Sequence, residues 1–392
     1  MMIRVAQVIE TLGRGGAERL LVDIARGIDR KRFTMSVYTL YRHPRTYAEA
    51  LKDLGIAETC LGLRGRGDLL RGIARLRTLL RREGADVVHT HLFSANIVGR
   101  LAARAARLPV VSSLHDADYE PAVLQGSPGL TPWKQGLLRH ADRLTAWVSR
   151  ANLIAVSEYV ATSARRRVGL GSSRVEVVYN GVDTNVFHPK VKDGSQGVRS
   201  ALGLSASTRV VISIGRMTPQ KGHGTLLEAV RLLLDRAIDV RVLFAGEGPW
   251  RSRYEALARD LDLQEHAIFL GDRADVPALL GAADVLALPS LHEGFGLVLV
   301  EALACGLPVV ASRTGPIPEL VRDGETGLLI EPGNASELAA SLAMILLDDD
   351  RRRRMGALGR EDAMARFSLP KMVRQLEAVY ERVATAQGLA RR

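Results

Sequence analysis

The run Glu293-Gly294-Phe295-Gly296-Leu297-Val298-Leu299-Val300-Glu301 sets two carboxylates around a glycine turn and an apolar stretch. The apolar stretch continues through Ala302-Leu303-Ala304-Cys305 and stops at Gly306-Leu307-Pro308. Ahead of it, Ala283-Asp284-Val285-Leu286-Ala287-Leu288-Pro289-Ser290 reads as a short buried strand that ends in a loop. Strand, glycine loop and helix in this order present free backbone N–H groups beside small residues, an arrangement that receives anions. Glu293 falls in the loop. Glu301 falls near the middle of the helix, about two turns further on, where a carboxylate can accept hydrogen bonds from sugar hydroxyls. Phosphate and hydroxyl readers this close together point to a nucleotide or nucleotide-sugar site.

Two further glycine loops follow strand-like runs. Ile3–Ile9 leads into Gly13-Arg14-Gly15-Gly16-Ala17-Glu18, whose glycines let the backbone approach a phosphate closely, although a tight turn explains them equally well. Val211-Ile212-Ser213-Ile214-Gly215-Arg216 leads into Met217-Thr218-Pro219-Gln220-Lys221-Gly222. Arg216 ends a strand and Lys221 opens the next helix, so the two cations can clamp a diphosphate; two solvated surface charges are the weaker alternative. His115 ends the strand Val110–Leu114, where a parallel sheet presents ligand-contacting groups, and is the catalytic candidate of the first half; a solvent-exposed loop histidine beside Asp116 is the weaker alternative. His89 and His91 also end a strand and, by alternation, share one face. A metal pair there lacks a third ligand nearby in sequence, and a packing role fits better.

These residues need an alternation of strands and helices to position them, and the chain supplies it twice. Strands are expected over Ile3–Ile9, Thr34–Leu40, Asp86–Thr90, Val110–Leu114, Leu153–Val156 and Val175–Val178. Helices over Ala17–Ile28, Asp68–Arg82, Ser94–Arg107 and Pro132–Trp147 fall between them. The pattern restarts with Val210–Ile214, Gly222–Arg236, Val240–Ala245, Trp250–Leu261, Asp284–Leu288 and Gly296–Ala304. Alternation implies parallel sheets covered by helices, and two runs imply two doubly wound domains. Asn180–Leu204, rich in loop chemistry, is the expected linker.

Composition narrows the field. A chain of 392 residues with 47% hydrophobic and 25% charged residues has the balance of a water-soluble two-domain protein. Cys60 and Cys305 form no metal or disulfide pattern, which fits a reducing cytoplasm. The formal charge of +11 lies wholly in residues 1–183, which hold 28 Lys+Arg against 17 Asp+Glu; the remainder holds 26 of each. That half is expected to face something anionic.

Taken in order, Gly13–Gly16, Ala155-Val156-Ser157-Glu158, Asn180-Gly181-Val182-Asp183, Gly215-Arg216, Lys221-Gly222, Gly246-Glu247-Gly248-Pro249 and Glu293 with Glu301 resemble the retaining GT-B glycosyltransferases of family GT4. The resemblance spans nearly the whole chain. It implies an α/β chain of GT-B fold, two Rossmann-like domains facing across a cleft. Residues 1–183 would bind the acceptor, 184–369 the nucleotide-sugar, and 370–392 would form a helix crossing back to the first domain. It implies that Arg216 and Lys221 bind the donor diphosphate and stabilise its charge. Glu301 would hold the ribose, Glu293 would face the transferred sugar, and His115 would contact the donor. Gly15, Gly16, Gly215, Gly246, Glu247 and the N–H groups of Phe295, Gly296 and Leu297 would complete the donor site. One departure is Thr314-Gly315-Pro316-Ile317-Pro318-Glu319, where Pro316 removes a backbone donor that relatives commonly keep as glycine.

The expected activity is therefore hexosyl transfer from a UDP- or GDP-sugar to a glycan or lipid-linked acceptor in envelope or exopolysaccharide synthesis. No cofactor and no metal are expected, because Arg216, Lys221 and helix termini neutralise the diphosphate. A front-face reaction is favoured over double displacement through Glu293. A sugar-nucleotide epimerase shares the architecture but lacks the paired glutamates. A dinucleotide oxidoreductase would need an acidic residue after the second strand, where Tyr41-Arg42 stand. A non-enzymatic anion or RNA binder rests on charge alone; nucleic acid is not an expected partner, since the basic half shows no aromatic stacking pattern. The helix Asp68–Glu83 carries Leu69, Ile73, Leu76 and Leu80 on one face and Arg71, Arg75, Arg81 and Arg82 on the others. Its apolar stripe is expected to pack on the sheet; its outer arginine face can also meet an anionic membrane, which would make the protein peripheral on the inner face of the plasma membrane. His115–Leu130 is the expected acceptor lid.

Overall fold

The computed structural model describes residues 2–13, 15–43, 47–117, 119–120, 131–168, 175–192 and 194–390. The chain divides into two compact units. The first holds Met1–Gly181 together with Leu369–Arg392, and the second holds Val182–Ser368.

In the first unit, β1 (Ile3–Ile9), β2 (Phe33–Thr39), β3 (Glu58–Cys60), β4 (Val87–His91), β5 (Val110–Leu114), β6 (Asn152–Ala155) and β7 (Val175–Val177) form one sheet. Its order is β3-β2-β1-β4-β5-β6-β7, with every pairing parallel. The second unit holds β8 (Arg209–Ile214), β9 (Val240–Ala245), β10 (Ala267–Gly271), β11 (Val285–Leu288), β12 (Val309–Ser312) and β13 (Gly327–Ile330). Their order is β10-β9-β8-β11-β12-β13, again all parallel. Strands buried on both faces explain why β4, β11 and β12 read as unbroken buried runs rather than alternating ones.

Each order reverses direction once, between β1 and β4 in the first sheet and between β8 and β11 in the second. At such a point the connections leave to opposite sides and open a crevice at the strands' carboxyl ends. The Gly13–Gly16 loop leaves β1 at the first reversal. The Arg216–Lys221 loop leaves β8, and the Glu293 loop leaves β11, at the second.

Short strands went unseen where the sequence signal was weak. β3 has three residues, and β10 is half-buried along most of its length. The expected linker Asn180–Leu204 contains the helix Ser195–Ala201, which packs against Val276–Ala282. The polar run before Gln196 disguises it, although Gly194 caps its start.

The second unit's core joins Val211, Val242, Phe244 and Val285 of the sheet to Leu226, Val230, Leu338 and Leu342 of its helices. In the first unit the last helix, Leu369–Ala390, contributes Leu369, Met372, Val373, Leu376, Val379 and Tyr380 to the core beneath β1 and β4. The helix Leu69–Arg82 buries Leu76 and Leu80 and packs along Phe93–Ala106. Its Leu76 and Leu80 stripe is thus used inside the fold, and its outward side carries arginines together with the exposed Leu70. No helix among the described residues is long and apolar enough to cross a membrane.

Candidate active site

At the second unit's reversal, three loops are held together through their backbones. The Met217 N–H donates to Glu247 O at 3.0 Å, and the Trp250 N–H donates to Met217 O at 3.0 Å. The Leu291 N–H donates to Gln220 O at 2.8 Å, and the Gln220 side-chain amide donates to His292 O at 3.1 Å. Two glycines make this approach achievable. Gly246 has φ +140, and a Cβ there would lie 2.0 Å from Gly215 O; Gly222 has φ +66, and a Cβ would lie 1.9 Å from Pro289 O. Any side chain at either position would force the loops apart.

On this frame, Lys221 and Glu293 meet. Lys221 Nζ lies 2.6 Å from Glu293 Oε1, and the Ser290 hydroxyl donates to the same oxygen at 2.7 Å. Glu293 and Ser290 are buried, whereas Lys221 stays partly accessible. Burial and two donors on one oxygen hold Glu293 as a fixed carboxylate rather than a mobile one. Ser290 was not singled out from the sequence; its only signal is its place at the end of β11.

Arg216 is exposed at the carboxyl end of β8, and its guanidinium has no partner among the described residues. It is the available cation of the loop, while Lys221 is already paired. Glu247 is exposed and forms an ion pair with Arg251. Gly215 and Gly246 are the backbone contact between two loops. The helix Leu297–Ala304 starts after Gly296, whose φ is +89. Glu301 lies near the middle of this eight-residue helix, about one turn past its start, and its side chain is buried. Leu297 and the N–H groups of the first turn face the loop end of the helix. The Phe295 side chain is buried edge-on to Phe367, with ring centroids 6.3 Å apart, so only its backbone is available to a ligand. Gly315, before the divergent Pro316, has φ +54 and sits 2.8 Å, measured from a built Cβ, from Glu293 O. The β12 loop thereby supports the Glu293 loop.

Among the described residues, no cation–carboxylate pair like Lys221 and Glu293 stands at the first unit's reversal. Gly15 caps the helix Gly16–Gly27, and the Glu18 carboxylate folds back over Gly15. Burial raises the Glu18 pKa, its main cause, against hydrogen bonds that lower it. Beside it lies a chain of neutral groups. His91 Nε2 is 2.8 Å from Gln7 Oε1, and His91 Nδ1 is 3.0 Å from His115 Nε2. The Gln7 amide donates to Tyr380 OH at 3.1 Å, which lies 2.7 Å from His89 Nδ1; His89 Nε2 lies 2.8 Å from Ser113 Oγ.

The amide oxygen of Gln7 can only accept, so His91 donates through Nε2 and accepts at Nδ1. His115 must then donate through Nε2, which leaves its Nδ1 as an acceptor. Burial, above all, keeps all three rings uncharged. His115 falls to about 4 and His89 to about 3, and His91 lies well below its ordinary value. His89 and His91 do share a face, with ring centroids 4.1 Å apart. Each ring's nitrogens are used in hydrogen bonds, which makes the pair a packing and positioning element. Gln7 and Tyr380 were invisible as site residues in the sequence, because their partners lie far along the chain. Of the expected acceptor lid, residues 121–130 lie outside the described residues, as does Asp118 of Asp116-Ala117-Asp118.

Comparison with known proteins agrees along the chain. The family described as Glycosyltransferase Family 4 matches residues 14–186, and Glycosyl transferases group 1 matches residues 197–362. D-inositol 3-phosphate glycosyltransferase of Corynebacterium glutamicum (strain R) is 30% identical over 387 residues, covering 93% of this chain and 91% of its own. Alpha-maltose-1-phosphate synthase of Mycolicibacterium smegmatis is 31% identical, covering 79% and 82%. Among solved structures, Anabaena HepE in complex with UDP and glucose is similar with a TM-score of 0.82 and 26% identity, over 97% of this chain and 99% of that one.

Proposed function

Because the chain belongs to the group 1 glycosyltransferases of family GT4, with the GT-B fold, and acts on a sugar-nucleotide donor, we propose that it moves a hexose from a UDP-sugar to a glycan or lipid-linked acceptor with retention of configuration. UDP is preferred over GDP because HepE, similar over nearly its full length, was solved with UDP and with UDP-glucose. The observation that carries the donor site is the paired Lys221 and Glu293 beside the unpaired Arg216, at the carboxyl ends of β8 and β11.

In this reading Arg216 takes the distal phosphate oxygens as the sugar–phosphate bond breaks. Lys221 shares its charge between Glu293 and the diphosphate, and the N–H groups at the start of Leu297–Ala304 add a third contribution. Glu301 binds the ribose hydroxyls. Glu293 faces the sugar and tempers its developing positive charge. Its Oε1 already receives Lys221 and Ser290, which weakens it as a nucleophile and supports front-face transfer. His115, held with Nδ1 as an acceptor, can receive a sugar or acceptor hydroxyl proton in a hydrogen bond. No metal is required, because the cations and helix terminus neutralise the diphosphate. The product serves envelope or exopolysaccharide synthesis, with the protein peripheral on the inner face of the plasma membrane.

A thermal-shift screen with UDP, GDP and ADP tests the donor site. UDP should raise Tm most; no shift with any of the three would overturn the assignment. Proton NMR of the product with a UDP-hexose reads the anomeric outcome, and activity in EDTA should match the untreated enzyme.

A further inference from the structure

The helix Pro132–Ser149 is amphipathic in the reverse sense. Its inward face is polar or small: Asp142, Thr145, Ala146 and Ser149 are its buried residues. Asp142 forms a buried ion pair with Arg100 of Phe93–Ala106, which also donates to Ser112 Oγ at 2.9 Å; Tyr119 OH donates to Asp142 Oδ2 at 3.1 Å. Its outward face carries four large apolar side chains and, between them, one exposed polar residue, His140. Trp133, Leu137, Leu144 and Trp147 are 67%, 64%, 59% and 66% exposed. At about 100° per residue they lie within a stripe roughly 80° wide, opposite the buried face. Four large hydrophobes this exposed on one face over four turns, interrupted by His140, are not the scatter of single surface hydrophobes.

The charges around the stripe identify what covers it. Lys134 borders one side, with its Nζ 5.8 Å from the Trp133 ring centroid, and Arg139, Arg143 and Arg150 border the other. The helix's single acidic residue is Asp142, which is buried against Arg100. The basic border continues past the helix end, where Arg150 lines a groove of about 590 Å³ with Arg104, Arg107 and Arg382. An apolar stripe with a tryptophan near each end and cations on both flanks matches a bilayer surface: rings and leucines enter the headgroup boundary while Lys and Arg meet anionic lipid.

We propose that Pro132–Ser149 docks the protein on an anionic lipid bilayer through Trp133, Leu137, Leu144 and Trp147. Asp68–Glu83, the other helix weighed for this role from the sequence, uses Leu76 and Leu80 for internal packing, the reading the sequence favoured. The membrane part of the proposed function rests on this surface, but the surface does not rest on the transfer reading, since it binds lipid without any substrate.

The test mixes the full-length protein with phosphatidylglycerol-containing vesicles or pure phosphatidylcholine vesicles, without donor or acceptor. The protein should co-sediment with the anionic vesicles, with tryptophan emission shifting to shorter wavelength, and added salt should weaken binding. Leu137→Ser with Leu144→Ser should weaken it about tenfold or more while leaving the melting curve and the UDP thermal shift unchanged. Trp133→Ser with Trp147→Ser provides an independent pair. No vesicle binding, equal binding to both vesicle types, or undiminished binding by both double variants would overturn the proposal. So would a dimer in sedimentation equilibrium that Leu137→Ser with Leu144→Ser dissolves, which would make a second copy the occupant.

Discussion

The two sheets share a topology, yet the crevices at their reversal points are built from opposite chemistry. In the second unit, Lys221, Arg216 and Glu293 put net charge at the loop ends. In the first, Gln7, His91, His115, Tyr380 and His89 form a buried hydrogen-bonded chain kept uncharged by desolvation. One crevice places charged side chains at its loop ends, and the other places donors and acceptors of fixed direction. The lesson is that the Rossmann-like frame supplies only the place, and the residues after each strand choose the chemistry.

Acid should separate the two units most. The folded-state pKa values of His89, His91 and His115 lie below the ordinary 6.5, so the unfolded chain binds more protons in that window. Stability is fully present above about pH 6.5 and is progressively lost as pH falls below it, because each ring takes up a proton only on unfolding. Three rings act in the first unit, whereas His223, lowered to about 4, acts in the second. Hydrogen exchange read by mass spectrometry at pH 5 should show the first unit opening before the second. Simultaneous opening would erase the contrast.

Next comes Lys221→Ala, which removes a donor-site charge and strands the buried Glu293 carboxylate. A loss of about 10³ in kcat/KM, roughly 4 kcal/mol, is expected in steady-state assays. Combining it with Glu293→Gln should cost less than the sum of the two, because the pair acts as a unit. Additive losses would mean the ion pair is incidental.

Glu301→Ala should raise the donor KM by about 10- to 100-fold with little change in kcat, whereas Glu293→Ala should mainly lower kcat. Equal effects on both parameters would refute the division between ribose and sugar.

The smallest effect sharpens the neutral side. Gln7→Leu removes the acceptor that sets the direction of the His91–His115 hydrogen bond, and kcat should fall about tenfold. Gln7→Glu keeps an acceptor but adds negative charge, which raises the pKa of the adjacent imidazoles. Its acid limb in the pH–rate profile should move to higher pH, whereas a purely structural Gln7 would leave that limb in place.

Much of this molecule was legible along the chain. Alternating apolar runs and amphipathic segments determined two doubly wound sheets, because strand and helix periodicities are local properties of spacing. The positions of Arg216, Lys221 and Glu293 in the loops beside β8 and β11, and of Glu301 inside the following helix, were legible for the same reason. What only the tertiary structure decided is who meets whom. Ser290 and Lys221 on one oxygen of Glu293, and Gln7 joined to Tyr380 across 373 residues, are contacts between segments that sequence spacing does not relate. The same holds for the two helices with apolar stripes. Periodicity shows that a stripe exists, but burial depends on which face the neighbouring helix covers. Leu69–Arg82 turns its stripe inward, while the buried Arg100–Asp142 pair turns the stripe of Pro132–Ser149 outward.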